Sequence, residues 1–184
     1  MFIQTEQTPN PASLKFLPGR AVMDAGTANF PSVETAGRSP LAQRLFEVEG
    51  VVGVFLGTDF VTVTKADAVD WYVLKPSILG VVMEHFTAGR PVIVAEAAGG
   101  ADAPAGEVSE IEAQIRELID TRVRPAVAQD GGDIVFQGYE DGVVYLHMQG
   151  SCSGCPSSTM TLKAGIENML RHYIPEVTEV RAVA

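Results

Sequence analysis

The 184-residue chain has two cysteines, and both lie in one short motif, Cys152-Ser153-Gly154-Cys155. Two thiols at this spacing can work as a redox pair or bind a metal as thiolates, and spacing alone leaves both open. Cys155 precedes Pro156, and proline is favoured at the first helical position, so Cys155 is expected to be a helix N-cap. Its sulfur would then face the unpaired amides of the first turn and the positive end of the helix dipole, which favours thiolate over thiol. Gly154 lets the loop bring both sulfurs to one centre. Ser151, Ser153, Ser157 and Ser158 are small polar neighbours expected to leave access open.

Three chemistries fit such a pair. A thioredoxin-like dithiol also sits at a strand–helix junction, but that fold carries a βαβ pattern, whereas a hairpin precedes the motif here. A structural zinc site needs four ligands. His172 falls near the far end of the following helix, about 25 Å away at 1.5 Å per residue, and His147 would supply only a third ligand. A 4Fe–4S cluster takes four cysteine thiolates, so two chains facing each other across a symmetric interface would complete the set. Four thiolates on the cluster core leave a charge of about −2, which two helix N-termini can stabilise without any basic residue. A site held only by a subunit interface is expected to be labile, which suits a carrier.

The elements that must position this motif are legible from pattern. Ser109 and Glu112 form a capping box ahead of a stripe of Ile111, Ile115, Leu118, Ile119 and Ala126, predicting a helix that Pro125 kinks and Asp130-Gly131-Gly132 terminates. Residues 134–139 and 143–149 are predicted to form a hairpin around Glu140-Asp141-Gly142. After the cysteines, Leu162, Ile166, Met169, Leu170 and Tyr173 line a second helix, Pro175 ends it, and 177–183 reads as a strand. The order α-β-β-α-β implies helices layered on a small mixed sheet. In the first half, 1–6 and 13–17 alternate like strands, and Ser39-Pro40 opens a short helix. A hairpin over 51–56 and 60–64 comes next, then a helix bearing Leu74, Ile78, Val81, Val82 and His85, with Pro76 expected to delay that helix.

Between the halves, the Ala-, Gly- and Pro-rich stretch has no apolar periodicity and reads as a flexible linker. The fold class is therefore α+β: a domain over 1–95, a linker over 96–107 and a second domain over 108–184. Hydrophobic residues at 46% and charged residues at 20% are ordinary globular values, which excludes wholesale disorder. A net charge of −10 has the wrong sign for a phosphate-binding surface, so neither nucleic acid nor an anionic membrane is an expected partner. No charged-then-apolar leader opens the sequence, and its apolar runs fall short of the ~20 residues that span a bilayer. With too few cysteines for a disulfide framework, the expected compartment is reducing, and the cytoplasm is the expectation.

Other features have plainer readings beside any functional one. Asp130-Gly-Gly-Asp133 ends a helix before a strand more often than it binds an ion. His147 lies on the strand face opposite Val144, Leu146 and Met148, so an exposed sheet position outweighs tuning of a cluster. His85 is expected to be a packed core histidine, Trp71 a boundary aromatic, and Met160 and Met169 helix packing. Thr8-Pro-Asn-Pro11 is either a stiff connection or a partner-binding edge. There is no recognisable serine triad and no G-x-x-x-x-G-K-[ST] loop.

Asp130-Gly-Gly-Asp133, then Gly150-Ser-Cys152-Ser-Gly-Cys155-Pro-Ser-Ser and Thr161-Leu-Lys-Ala-Gly-Ile-Glu167, together resemble the C-terminal domain of NifU-type proteins. Met1 to Gly19, with Thr8-Pro-Asn-Pro and Leu14-Lys-Phe16, resembles the N-terminal domain of the Nfu branch, as do Ser39-Pro-Leu41, Gly57 to Thr64 and Trp71. The resemblance covers nearly the whole chain. It implies a non-enzymatic scaffold or carrier that holds a 4Fe–4S cluster, one per two chains, through Cys152 and Cys155 of each, with a 2Fe–2S form as a variant. Its implied partners are a second copy of itself, an upstream cluster donor and apo-protein acceptors. A dithiol/disulfide oxidoreductase using the same cysteines is the alternative.

Overall fold

The computed structural model describes residues 2–94, 109–153 and 156–183, the side chains of 156–158 excepted. The chain divides into two compact units, one up to Ala98 and one from Gly99. The stretch expected to be a linker lies outside the described residues.

In the first unit, strands β1 (Gln4–Gln7), β2 (Ser13–Leu17), β3 (Ala28–Phe30), β4 (Val51–Leu56) and β5 (Val61–Lys65) form an antiparallel sheet ordered β1-β2-β5-β4-β3. Helices α1 (Pro40–Phe46) and α2 (Trp71–Thr87) share one apolar core with it, in which Phe16, Leu56, Val63, Leu41, Leu74 and Ile78 are fully or almost fully buried. Each such aliphatic or aromatic side chain contributes about 1.5–3 kcal/mol by leaving water. Ser39 caps α1 as expected, its hydroxyl accepting from the Ala42 amide at 3.1 Å.

Pro76 does not delay α2, which starts at Trp71. The carbonyl it leaves without a donor belongs to Tyr72, which is 92% exposed, so water can take the lost partner's place. The pattern missed β3 and a short 3₁₀ turn over Val33–Arg38. A three-residue strand is too short for a period of two to register. The Thr8-Pro-Asn-Pro11 segment is a hydrogen-bonded turn, with Thr8 Oγ1 donating to the Asn10 carbonyl at 2.8 Å and Asn10 Oδ1 accepting from the Ala12 amide at 3.0 Å. Trp71 Nε1 donates to the Pro11 carbonyl at 3.1 Å, a boundary role.

The second unit has the expected α-β-β-α-β order. Helix α3 (Glu110–Leu118) begins at the Ser109–Glu112 capping box. It runs through a π-helical turn (Ile119–Val123) into α4 (Arg124–Gln129). Strands β6 (Gly132–Glu140) and β7 (Val143–Gly150) form the hairpin, and after α5 (Pro156–Tyr173) strand β8 (Glu179–Val183) pairs parallel to β7. Asp141 and Gly142 both have positive φ, 48° and 82°, the twist a tight two-residue hairpin needs.

The disturbance expected at Pro125 takes the form of a π turn just ahead of it. Lacking an N–H, the proline cannot continue the α pattern, and the helix widens ahead of it so that the Arg124 amide reaches back to the Ile119 carbonyl. The extra residue rotates α4 relative to α3. Ala126, expected in the core, is exposed, and Val123 and Val127 are buried with Ile115 and Ile119 instead. Tyr173 is likewise 47% exposed, with the Arg122 guanidinium 5.0 Å from its ring centre.

His85 is fully buried, as expected, with Nε2 3.1 Å from the Pro91 carbonyl and no partner for Nδ1. Burial holds its pKa below the usual 6.5, helped by the positive charges of Arg44 and Arg90. The neutral ring therefore supports the fold above 6.5, and that support is lost as pH falls through the lowered value. Unfolding followed through Trp71, the single tryptophan, should show the first unit weakening from about pH 7 to pH 5, with His85→Gln flattening that dependence.

Candidate metal-binding site

Cys152 lies in the turn after β7, two residues past Gly150, and α5 begins at Pro156. Proline thus occupies the first helical position, as the sequence predicts. Cys155, the expected N-cap, lies outside the described residues. The side chains of Ser157 and Ser158 lie outside the described residues. Cys152 is 6% exposed and belongs to the apolar core of the second unit, so its sulfur lacks the open access expected. The reason is Ser151, itself buried: its hydroxyl turns inward to donate to the Asp130 carbonyl, and its amide bonds the Gly131 carbonyl at 3.3 Å. On the other side, Thr159 of α5 donates through Oγ1 to the Cys152 carbonyl at 3.3 Å.

The Cys152 sulfur packs directly on Gly132. A Cβ at position 132 would stand 2.5 Å from Sγ and 2.8 Å from the Gln149 carbonyl oxygen, closer than non-bonded atoms can approach. The next residue fixes that backbone. Asp133 is 3% exposed and accepts a two-pronged bond from Arg124, Nε to Oδ1 at 2.9 Å and Nη2 to Oδ2 at 2.8 Å. Its Oδ1 also accepts the Ile134 amide at 2.8 Å. A planar guanidinium fork on a buried carboxylate is a strong, directional pairing. The Asp133 hydrogen bonds push the Arg124 pKa upward. The Asp130–Asp133 loop ends a helix, as expected, and it also forms the surface on which the first cysteine rests.

Burial pushes the Cys152 thiol up to about 11, with the Ser151 hydrogen bond opposing and the charges of Asp130 and Asp133 adding to the rise. A thiolate-favouring environment is therefore not what Cys152 has in this structure. His147 sits half-exposed on β7, on the face away from Val144, Leu146 and Met148. Among the described residues no three His, Cys, Asp or Glu side chains gather closely enough to hold a metal ion. Sequence reasoning weighs the Asp130–Asp133 loop as an ion site and prefers a helix stop, without placing Gly132 against Cys152, and it passes over Arg124. The available signal was the doubled glycine, since a single one at position 131 suffices to end the helix.

Residues 3–89 match the family described as scaffold protein Nfu/NifU N terminal, and residues 115–181 match the NifU-like domain. The chain is 53% identical, over all of its length and 72% of the relative's, to the human NFU1 iron-sulfur cluster scaffold homolog, mitochondrial. It is 54% identical to NifU-like protein 4, mitochondrial, of Arabidopsis thaliana, over 98% of this chain and 65% of the relative. Among solved structures, the NifU-like protein from Saccharomyces cerevisiae is similar at 29% identity and a TM-score of 0.47, over 52% of this chain and 87% of that one. The mitochondrial labels on these human and plant relatives overturn the expectation of a cytoplasmic protein. Scarcity of cysteine argues against a disulfide framework and does not distinguish one reducing compartment from another.

Arg124→Gln removes the cation from a buried carboxylate, which keeps the Ile134 amide as a donor. It should lower the stability of the second unit by about 2 kcal/mol, discounted because the arginine itself is partly exposed; hydrogen exchange of the β6 and β7 amides measures it. The raised Cys152 thiol gives a second expectation. Its neutral form supports the fold below 9.0, and that support is lost as pH rises toward 11, an effect of roughly 2 kcal/mol. Denaturation of wild type and Cys152→Ala over that range should show an alkaline loss of stability in the wild type that the variant lacks.

Proposed function

This chain belongs to the Nfu/NifU family of iron–sulfur cluster scaffold proteins, and from that premise we propose that it carries a 4Fe–4S cluster between two copies of itself and delivers it to apo-proteins. Cys152 and Cys155 of each copy are the ligands. The observation that carries the proposal is the position of Cys152, just after β7 and ahead of the start of α5, inside the NifU-like match. One chain offers two cysteines where the cluster takes four, and a two-fold interface doubles them. Two copies of α5 would bring two helix N-termini, whose partial positive charge offsets the negative cluster.

The state of Cys152 suits cargo more than a resident cofactor. Cys152 is buried and its thiol is pushed up to about 11 by that burial, so the residue takes back a proton readily once a cluster has left. Delivery then runs as ligand exchange. Each acceptor thiolate forms one Fe–S bond as one bond to these four cysteines breaks, and the freed thiolate takes up a proton. The first unit recognises donor or acceptor proteins or modulates release. A buried thiol with a raised pKa is a poor nucleophile, which weighs against dithiol exchange at Cys152.

Anaerobic reconstitution with iron and sulfide should give visible cluster absorption and two irons per chain, against one per chain for a 2Fe–2S form. Cys152→Ala and Cys155→Ala should each abolish both signals. Normal iron uptake by Cys152→Ala would sink the assignment.

A further inference from the structure

We propose that Gly132 is the positioning residue for the first cysteine of the motif: the absent side chain at 132 forms a seat that stows the Cys152 sulfur, and the Arg124–Asp133 pair holds the seat in place. The role assigned to that sulfur in cargo handling rests on the carrier function proposed above, whereas the seat itself is formed by contacts within this chain alone.

Three independent contacts define it. The Cβ that any other residue would carry at 132 falls 2.5 Å from Sγ and 3.0 Å from the Cys152 amide nitrogen, so neither the sulfur nor its backbone could remain where it is. Behind the glycine, Asp133 is fastened by two bonds from Arg124 and one from the Ile134 amide. Beside it, the Ser151 hydroxyl and amide tie the cysteine turn to the carbonyls of Asp130 and Gly131. Helix end, strand start and cysteine turn are thus one hydrogen-bonded block, and the sulfur lies at its inner side with the residue 6% exposed.

A ligand shared between two chains must reach the surface of its own. A Cys152 that ligates such a cluster therefore cannot keep the seated position, and the seat is the place it must leave. A sulfur held in the seat is also kept from alkylating and oxidising reagents.

The test is the rate at which iodoacetamide labels Cys152 in the full-length reduced apo-protein, read by peptide mass spectrometry. In wild type the rate should be about ten-fold or more below that of the same chain unfolded in urea; equal rates would overturn the proposal. Gly132→Ala should remove most of this protection while circular dichroism still shows a folded chain. Gly138→Ala is the control, a glycine on the same strand whose added Cβ would meet nothing within 4 Å, and it should leave the rate unchanged. A folded Gly132→Ala chain labelled as slowly as wild type, or a Gly138→Ala chain labelled as fast as Gly132→Ala, would overturn the seat. If Gly132→Ala does not fold, Arg124→Gln serves, since it releases the loop without adding bulk: faster labelling supports the seat, and wild-type protection overturns it.

Iron uptake by wild type is measured alongside. Normal uptake with no labelling change in Gly132→Ala defeats the seat and spares the carrier. Faster labelling of that variant, with no iron bound by wild type, supports the seat and defeats the carrier.

Discussion

The Cys152 sulfur occupies space that every residue except glycine would fill at position 132, and much of the second unit is arranged to keep that contact. Arg124 can reach Asp133 only because α4 ends beside the start of β6. The π turn ahead of Pro125 sets the rotation of α4, burying Val123 and Val127 in the core and leaving Arg124 at the boundary. Ser151 closes the block from the side of β7. A small three-stranded sheet sharing one core with α3, α4 and α5 has little core to spare, and Cys152 is part of that core.

Burial and ligation make opposite demands on one thiol. As a core side chain, Cys152 is best neutral and enclosed, and its pKa is raised accordingly. The ligand role proposed for it requires that it give up its proton and become reachable. A permanent metal site would be expected to resolve this conflict in favour of the thiolate. The same opposition explains why a dithiol exchange centre, which needs a poised thiolate, is a poorer match.

Much of this architecture can be read from residue order. The α-β-β-α-β pattern, the Ser109–Glu112 box, the Asp141-Gly142 turn and Pro156 at the start of α5 are local signals, and each is where its chemistry requires. Local pattern could not show events that depend on distant partners. Pro125 signals a disturbance, but whether the helix kinks or widens is decided by which residues the sheet can bury. Gly132 looks like part of a helix stop until Cys152, 20 positions later, is placed on it. The serines look like an open polar rim until Ser151 finds the Asp130 carbonyl and turns inward. His85 is the converse case, since an apolar helix stripe was enough to place it in the core.

The sharing of one cluster between two chains is the claim on which the carrier account depends most. Native mass spectrometry of the anaerobically loaded protein addresses it directly, because it weighs chains and cluster together. The account predicts one dominant species with the mass of two chains plus a single four-iron, four-sulfide cluster, collapsing to bare monomer when the cluster is removed by a chelator. A cluster riding on a single chain, or a dimer that persists unchanged without it, would contradict the account.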